Sequence, residues 1–137
     1  MTQVDFHILS VQQFDEAALY VCRLAEKAWR AGHQVLIHCD DAWMTPIDEL
    51  LWSYRPESFV PHGLLSDGLA PVNISSQHAC GEHHDVMINL SHDQPTSFSR
   101  FNRVIEVVFA EDRLKAVKRS HYKFYQERGY PLKSHPM

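Results

Sequence analysis

The densest grouping of metal-capable side chains in this sequence is His78, Cys80, His83 and His84, in the run HACGEHH. Imidazole and thiolate suit zinc, but no second paired-ligand motif accompanies them and their spacing matches none of the common structural fingers. The simpler reading is a polar surface loop with an exposed Cys80. A second grouping, His38-Cys39-Asp40-Asp41, ends a short apolar run. A thiolate nucleophile needs a base beside it, yet adjacent strand residues point to opposite faces, so His38 cannot readily activate Cys39. Cys39 therefore reads as a buried structural cysteine. His38, Asp40 and Asp41 are the strand-end residues that a small α/β enzyme would use. No GxxxxGK[ST], GxGxxG or GxSxG motif occurs, and Ser10-Val11-Gln12-Gln13 offers no glycine for a phosphate-cradling turn. Tight nucleotide binding is not expected, and neither a cofactor nor a metal is assigned.

The third grouping is electrostatic. Of 13 Lys and Arg residues, seven (Arg113, Lys115, Lys118, Arg119, Lys123, Arg128 and Lys133) fall between positions 113 and 133, where Glu127 is the only acid. The formal net charge of −4 thus conceals a basic segment set against an acidic remainder, which points to an anionic partner at one defined face. On a helix, Lys115, Arg119 and Tyr122 share a face, and the tyrosine adds an apolar wall to two cations. Such a surface suits a carboxylate-bearing peptide with a hydrophobic residue; the plainer reading is a solvated helix face. Trp52, Tyr54, Phe59 and Val60, in LLWSYRPESFVPH, form a fourth grouping. Exposed, they would make an aromatic anchor patch of the kind that dominates protein interfaces. For Trp52 and Phe59 the sequence leaves interface and core equally open, whereas Leu50 and Leu51 read as core.

At 137 residues and 15.9 kDa, with 45% hydrophobic residues, the chain has the length for one domain spanning 1–137 and a sizeable core. The start, MTQVDFHILS, lacks a basic leader region, and no apolar run approaches the ~20 residues that span a bilayer. Cys22, Cys39 and Cys80 are irregularly spaced, which fits a reducing compartment, and a cytoplasmic protein is expected. A pI near 6.2 argues against coating nucleic acid through bulk electrostatics.

The elements that must position these groups follow from periodicity. Val4 to Leu9 alternates as a strand, and apolar residues at 14, 17, 18, 21, 25, 28 and 29 give an amphipathic helix, with Gly32 as its stop. Gln34 to Cys39 suits a strand covered on both faces. Thr45-Pro46-Ile47-Asp48 predicts a helix start, with Thr45 as N-cap and Pro46 at the first helical position. Pro56 to His62 reads as an extended or edge segment, Val72 to Ile74 as a short strand, Asp85 to Leu90 as a central strand and Arg103 to Phe109 as another. Glu111-Asp112 open a basic helix to about Arg128, stopped by Gly129. Strands separated by helices imply a three-layer α/β/α sandwich on a mainly parallel sheet, Rossmann-like but without a nucleotide-binding loop.

These residues resemble the chi subunit family of bacterial DNA polymerase III. The resemblance runs along the whole chain: F-x-I-L in the first strand, A-x-x-x-W-R-x-G (Ala25 to Gly32), V-L-I-x-C (Val35 to Cys39), D-E-x-L-W (Asp48 to Trp52), P-x-S-F-V-P-H (Pro56 to His62), and E-D-x-L-K-x-x-x-R-x-x-Y-K-x-Y (Glu111 to Tyr125). The last two motifs are the specific ones. The loop 63–84 departs most from the family pattern. The resemblance implies a non-catalytic adaptor in the clamp-loader assembly. It would pair with the psi subunit and grip the acidic C-terminal tail of single-stranded-DNA-binding protein, reaching the clamp loader and nucleic acid only indirectly, with no membrane partner. It also implies a tail-binding surface of Val108, Lys115, Arg119 and Tyr122, and a psi-binding surface of Trp52, Phe59, Val60, Pro61 and His62. The other readings are the small enzyme on His38, Asp40 and Asp41, and a direct single-stranded DNA binder using the basic helix. Base stacking needs several exposed aromatics along a basic groove, and this helix face supplies Tyr122 alone.

Overall fold

The computed structural model describes all 137 residues. In chain order they form β1 (Gln3–Ile8), α1 (Phe14–Arg30), β2 (Val35–His38), α2 (Asp41–Ser53), β3 (His62–Leu64), β4 (Val72–Ser75), β5 (Val86–Asn89), β6 (Arg103–Val108), α3 (Asp112–Glu127) and β7 (Leu132–Pro136). The seven strands make one sheet in the order β3-β4-β2-β5-β6-β1-β7, and every pairing is parallel. Side-chain alternation then divides each strand between two cores. Val35 and Ile37, Ile74, Val86 and Ile88, and Ile105 and Val107 meet α1 and α2 on one face. Val4, Phe6, Leu36, Met87, Val104 and Val108 meet α3 and the short turn Phe98–Arg100 on the other. The three-layer α/β/α expectation holds.

Local signals explain most boundaries. α1 ends in a Schellman motif: Gly32 adopts φ +94°, its N–H bonds to Trp29 at 2.9 Å, and the N–H of His33 returns to Ala28 at 3.1 Å. α2 corrects the expected start, because it begins at Asp41 and carries Pro46 inside. The missing proline N–H forfeits one hydrogen bond of the helix. Extending the helix backwards places Trp43 against Phe14, ring centroids 4.8 Å apart, and packs Met44 on the core, which offsets that loss. The segment from Pro56 pairs only once His62 is reached, where β3 forms the sheet edge. β7 is absent from the sequence reading. After Gly129 stops α3 at φ +76°, LKSHP runs beside β1, from Val4 opposite Leu132 to Ile8 opposite Pro136. Its mixed polar sequence carries no strand periodicity, and its ladder partner is made at the far end of the chain.

Candidate functional site

α3 is fixed at both its start and its underside. Glu111 caps it, accepting from the N–H groups of Arg113 (3.2 Å) and Leu114 (2.7 Å). Leu114, Lys118, His121 and Tyr125 form the buried stripe. Lys118, counted among the basic residues of the sequence, is only 2% exposed. Its ammonium donates to Glu106 at 2.7 Å and to the carbonyl of Asn89 at 2.9 Å. Tyr125 donates to the second Glu106 oxygen at 2.8 Å, Asn89 donates from its amide, and the His121 ring lies 3.8 Å away. Burial alone would raise the Glu106 carboxyl, but the Lys118 charge and the contacts from His121 hold it down at about 2, while burial lowers Lys118 against the pull of Glu106. The sequence reading missed Glu106 and Asn89; a lone acid inside the apolar strand RVIEVVF was the available signal.

Rotated off that stripe, Lys115 and Arg119 stand exposed one turn apart with no carboxylate partner. Tyr122 lies half-buried beside them, its ring edge-on to Phe6 at 5.2 Å. Val108 ends β6 in the wall of the α3 core, directly opposite Ile8 of β1 in register. Ile8 is 41% exposed and joins the grouping unforeseen. It continues the Val4, Phe6, Ile8 alternation one step past the cover that α3 provides. Val108 itself is only 6% exposed and belongs to the core behind Tyr122, so it offers no surface of its own. The result is two free cations beside the exposed Ile8 and the half-buried Tyr122, a combination that can hold a carboxylate and a hydrophobic side chain together.

The aromatic grouping divides. Trp52 is 59% exposed and Phe59 70%, their ring centroids 6.0 Å apart, and His62 stacks obliquely on Trp52 at 4.7 Å. The His62 ring lies between the Val60 carbonyl at 2.7 Å and that of Asp48 at 3.2 Å, which fixes its orientation beside Trp52. Pro61 is half-buried. Val60 is 3% exposed and packs in the α1/α2 core, so it offers no contact area of its own and instead holds the segment down. Tyr54 also turns inward, donating to Glu26. Leu51 is core, and Leu50 packs against it.

The other groupings disperse. His38 faces the α3 side, 2.9 Å from Ser91, while Cys39 faces the opposite core, where burial and then Asp40 and Asp41 push its thiol up to about 12. Asp40 holds His92, and Asp41 accepts from Ser76 at 3.2 Å. These side chains are committed to separate structural contacts. In HACGEHH, Cys80 is buried, against the expected exposure, because Leu65, Met87 and their neighbours enclose it. His83 turns in to Asn73 at 2.8 Å, His78 accepts from the N–H of Thr96, and His84 stays outside on the Glu82 carbonyl. No three His, Cys, Asp or Glu side chains come together as a metal-ligand set. No helix is long and apolar enough to cross a membrane.

Comparison with known proteins places this geometry in context. Residues 1–133 match the family described as DNA polymerase III chi subunit, HolC. Similar proteins include the DNA polymerase III subunit chi of Pseudomonas aeruginosa, 42% identical over 137 residues, which covers 98% of this chain and 96% of that protein. The chi subunit of Escherichia coli is 38% identical over 117 residues, covering 82% and 80% of the two chains. That of Haemophilus influenzae is 35% identical over 116 residues, covering 81% of each.

Proposed function

Since this chain belongs to the DNA polymerase III chi subunit family, we propose that it is a non-catalytic accessory subunit of the replicative polymerase, working as an adaptor. One surface, Lys115 and Arg119 beside Ile8 and Tyr122 with Val108 supporting them from the core, takes the acidic C-terminal tail of single-stranded-DNA-binding protein. The other, Trp52, Phe59, Pro61 and His62 seated on Val60, takes the psi subunit and through it the clamp loader. The observation that carries the first assignment is the pair of exposed, unpartnered cations one helical turn apart beside an apolar ledge. A guanidinium can hold a terminal carboxylate bidentately while the ammonium attracts neighbouring acids as a point charge. The apolar terminal side chain then has Ile8 and Tyr122 to rest on, with Val108 in the core behind them. For the second, an exposed Trp–Phe pair held by a buried valine and a pinned histidine matches the rigid aromatic anchors of protein interfaces. A cytoplasmic setting accompanies this role, and the three cysteines are free.

A pull-down with full-length and tail-truncated single-stranded-DNA-binding protein tests the reading. Capture of the full-length protein and loss on truncation is the expected result. Equal capture of both would remove the tail from the interaction. The same preparation titrated with a peptide whose carboxyl terminus is amidated should bind far more weakly than the free acid.

A further inference from the structure

The sequence sets seven bases in one segment and leaves six elsewhere, among sixteen acids. In the fold, five of those six gather on the face of the sheet opposite α3. Arg23, Lys27 and Arg30 follow one another along the outer side of α1; Arg55 stands beside them, and Arg103 with Lys133 faces them across a depression. Two hollows of about 510 and 690 Å³ adjoin here and share Lys27 as a common wall. The first is lined by Arg23, Arg30 and Arg55, the second by Arg103 and Lys133. All six cations are exposed.

The carboxylates in these walls are already engaged. Glu26 takes Arg30 at 2.7 Å and Arg55 at 2.8 Å, Asp5 takes Arg103 and His135 at 3.4 Å each, and Asp85 takes His33 at 3.1 Å. Glu57, on the rim, lies 3.7 Å from Arg55. That leaves Arg23, Lys27 and Lys133 free, with a positive field over the hollows. The field registers on His7, on the floor, whose protonation is suppressed first by burial and then by His135, with Arg103 and Lys27 adding to it against the pull of Asp5.

We propose that this face is a second interaction surface that binds the phosphodiester backbone of single-stranded DNA. Its length favours a polyanion over a small anion, because the cations run through two hollows in succession. Its chemistry favours phosphate over an acidic peptide. The α3 surface pairs its cations with exposed apolar area, whereas no large exposed hydrophobic residue lines these hollows: their apolar lining is Leu24, Val86, Ile105 and Tyr54, all buried or half-buried, with Ala28 and Ala31. A surface of exposed cations with no exposed apolar anchor suits a partner whose charge is its constant feature. The two faces lie on opposite sides of the sheet, so a strand held here leaves α3 free.

The test is fluorescence anisotropy with a labelled oligodeoxythymidylate at about 50 mM salt, repeated up to about 200 mM. The full chain should bind, with affinity falling as salt rises. Arg23→Glu with Lys27→Glu should weaken binding by about tenfold or more and flatten the logarithmic salt dependence by roughly 1.4, at ~0.7 per phosphate contact on a single strand. Lys133→Glu should weaken it independently, and Lys115→Glu with Arg119→Glu should leave it within about twofold. The proposal is overturned if the wild-type chain does not bind, if the α1 variant binds as the wild type does, or if the α3 variant loses as much. It is likewise overturned if poly-glutamate of equal charge binds as tightly as the oligonucleotide.

Discussion

On the proposed function, tail binding depends most on Arg119, because a planar guanidinium supplies two parallel donors and Lys115 supplies only a mobile charge. Arg119→Ala should abolish binding of an acidic tail peptide in anisotropy, and Arg119→Lys should restore it only in part; wild-type affinity in the alanine variant would leave α3 a solvated face. Ile8→Asp, which sets a like charge beside the peptide's carboxylates without disturbing the core, should weaken the same complex by tenfold or more. Phe59→Ala should weaken association with psi by ~2 kcal/mol, roughly thirtyfold, with circular dichroism unchanged. Unfolding of that variant would instead assign Phe59 a packing role. Spacing alone was enough to place Lys115, Arg119 and Tyr122 on one face, since i, i+4 and i+7 is a property of the helix itself. It could not separate Lys118 from its neighbours, because its burial depends on Glu106 arriving from another strand. Ile8 escaped for a similar reason: its exposure is set by where α3 stops covering the sheet.

At the scale of elements, α3 is tied to β5 and β6 by polar contacts from Lys118 and Tyr125 as well as by apolar packing. Removing one partner of a buried ion pair leaves the other charge uncompensated, at a cost of about 3–5 kcal/mol. Lys118→Ala should therefore lower the urea midpoint sharply, while Lys118→Met combined with Glu106→Leu should recover much of the loss; additive losses in the double variant would refute a coupled pair. Because Lys118 sits one residue before Arg119, the single variant should also weaken tail binding. The strands with apolar runs were legible, as was α1, whose three-four periodicity, charged turns and stop glycine agree. α2 was misplaced because a strong local start signal at Thr45-Pro46 lost to the packing of Trp43 on Phe14, which no window of adjacent residues contains. β7 was invisible because an edge strand of mixed polarity is defined by its hydrogen-bond partner and not by its own side chains.

For the whole molecule, acid should act in two stages of the same sign. His7, His38 and His83 are held below their usual 6.5 chiefly by burial, so as pH falls past that value the unfolded chain gains protons that the folded one refuses, and stability declines. Glu26 and Glu106 are both held at about 2 against an unfolded value of 4.5. For Glu26, burial would raise the carboxyl, but Tyr54, Arg30 and Ser58 hydrogen bonds and the Arg55 charge outweigh it. Their contribution is complete above 4.5 and is lost as pH falls towards 2. Urea midpoints measured from pH 7 down to pH 3 should fall throughout, and Glu26→Gln should flatten the lower part of that curve; an unchanged curve would show that Glu26 is not a source of the acid sensitivity. The same molecule also carries an order of events in its connectivity. Of these seven strands β1 is made first, yet its neighbours in the sheet are residues 103–108 and 132–136. The edge formed by β3, β4 and β2 draws on residues 35–75 and has its partners at hand early. Closing the long loop to β1 must wait, and such non-local pairing is slow because its entropy is lost before its contacts form. Among the strands of this sheet, the apolar face of β1, Val4, Phe6 and Ile8, is therefore the one left longest without a partner, and the one on which a chaperone would have the most time to act.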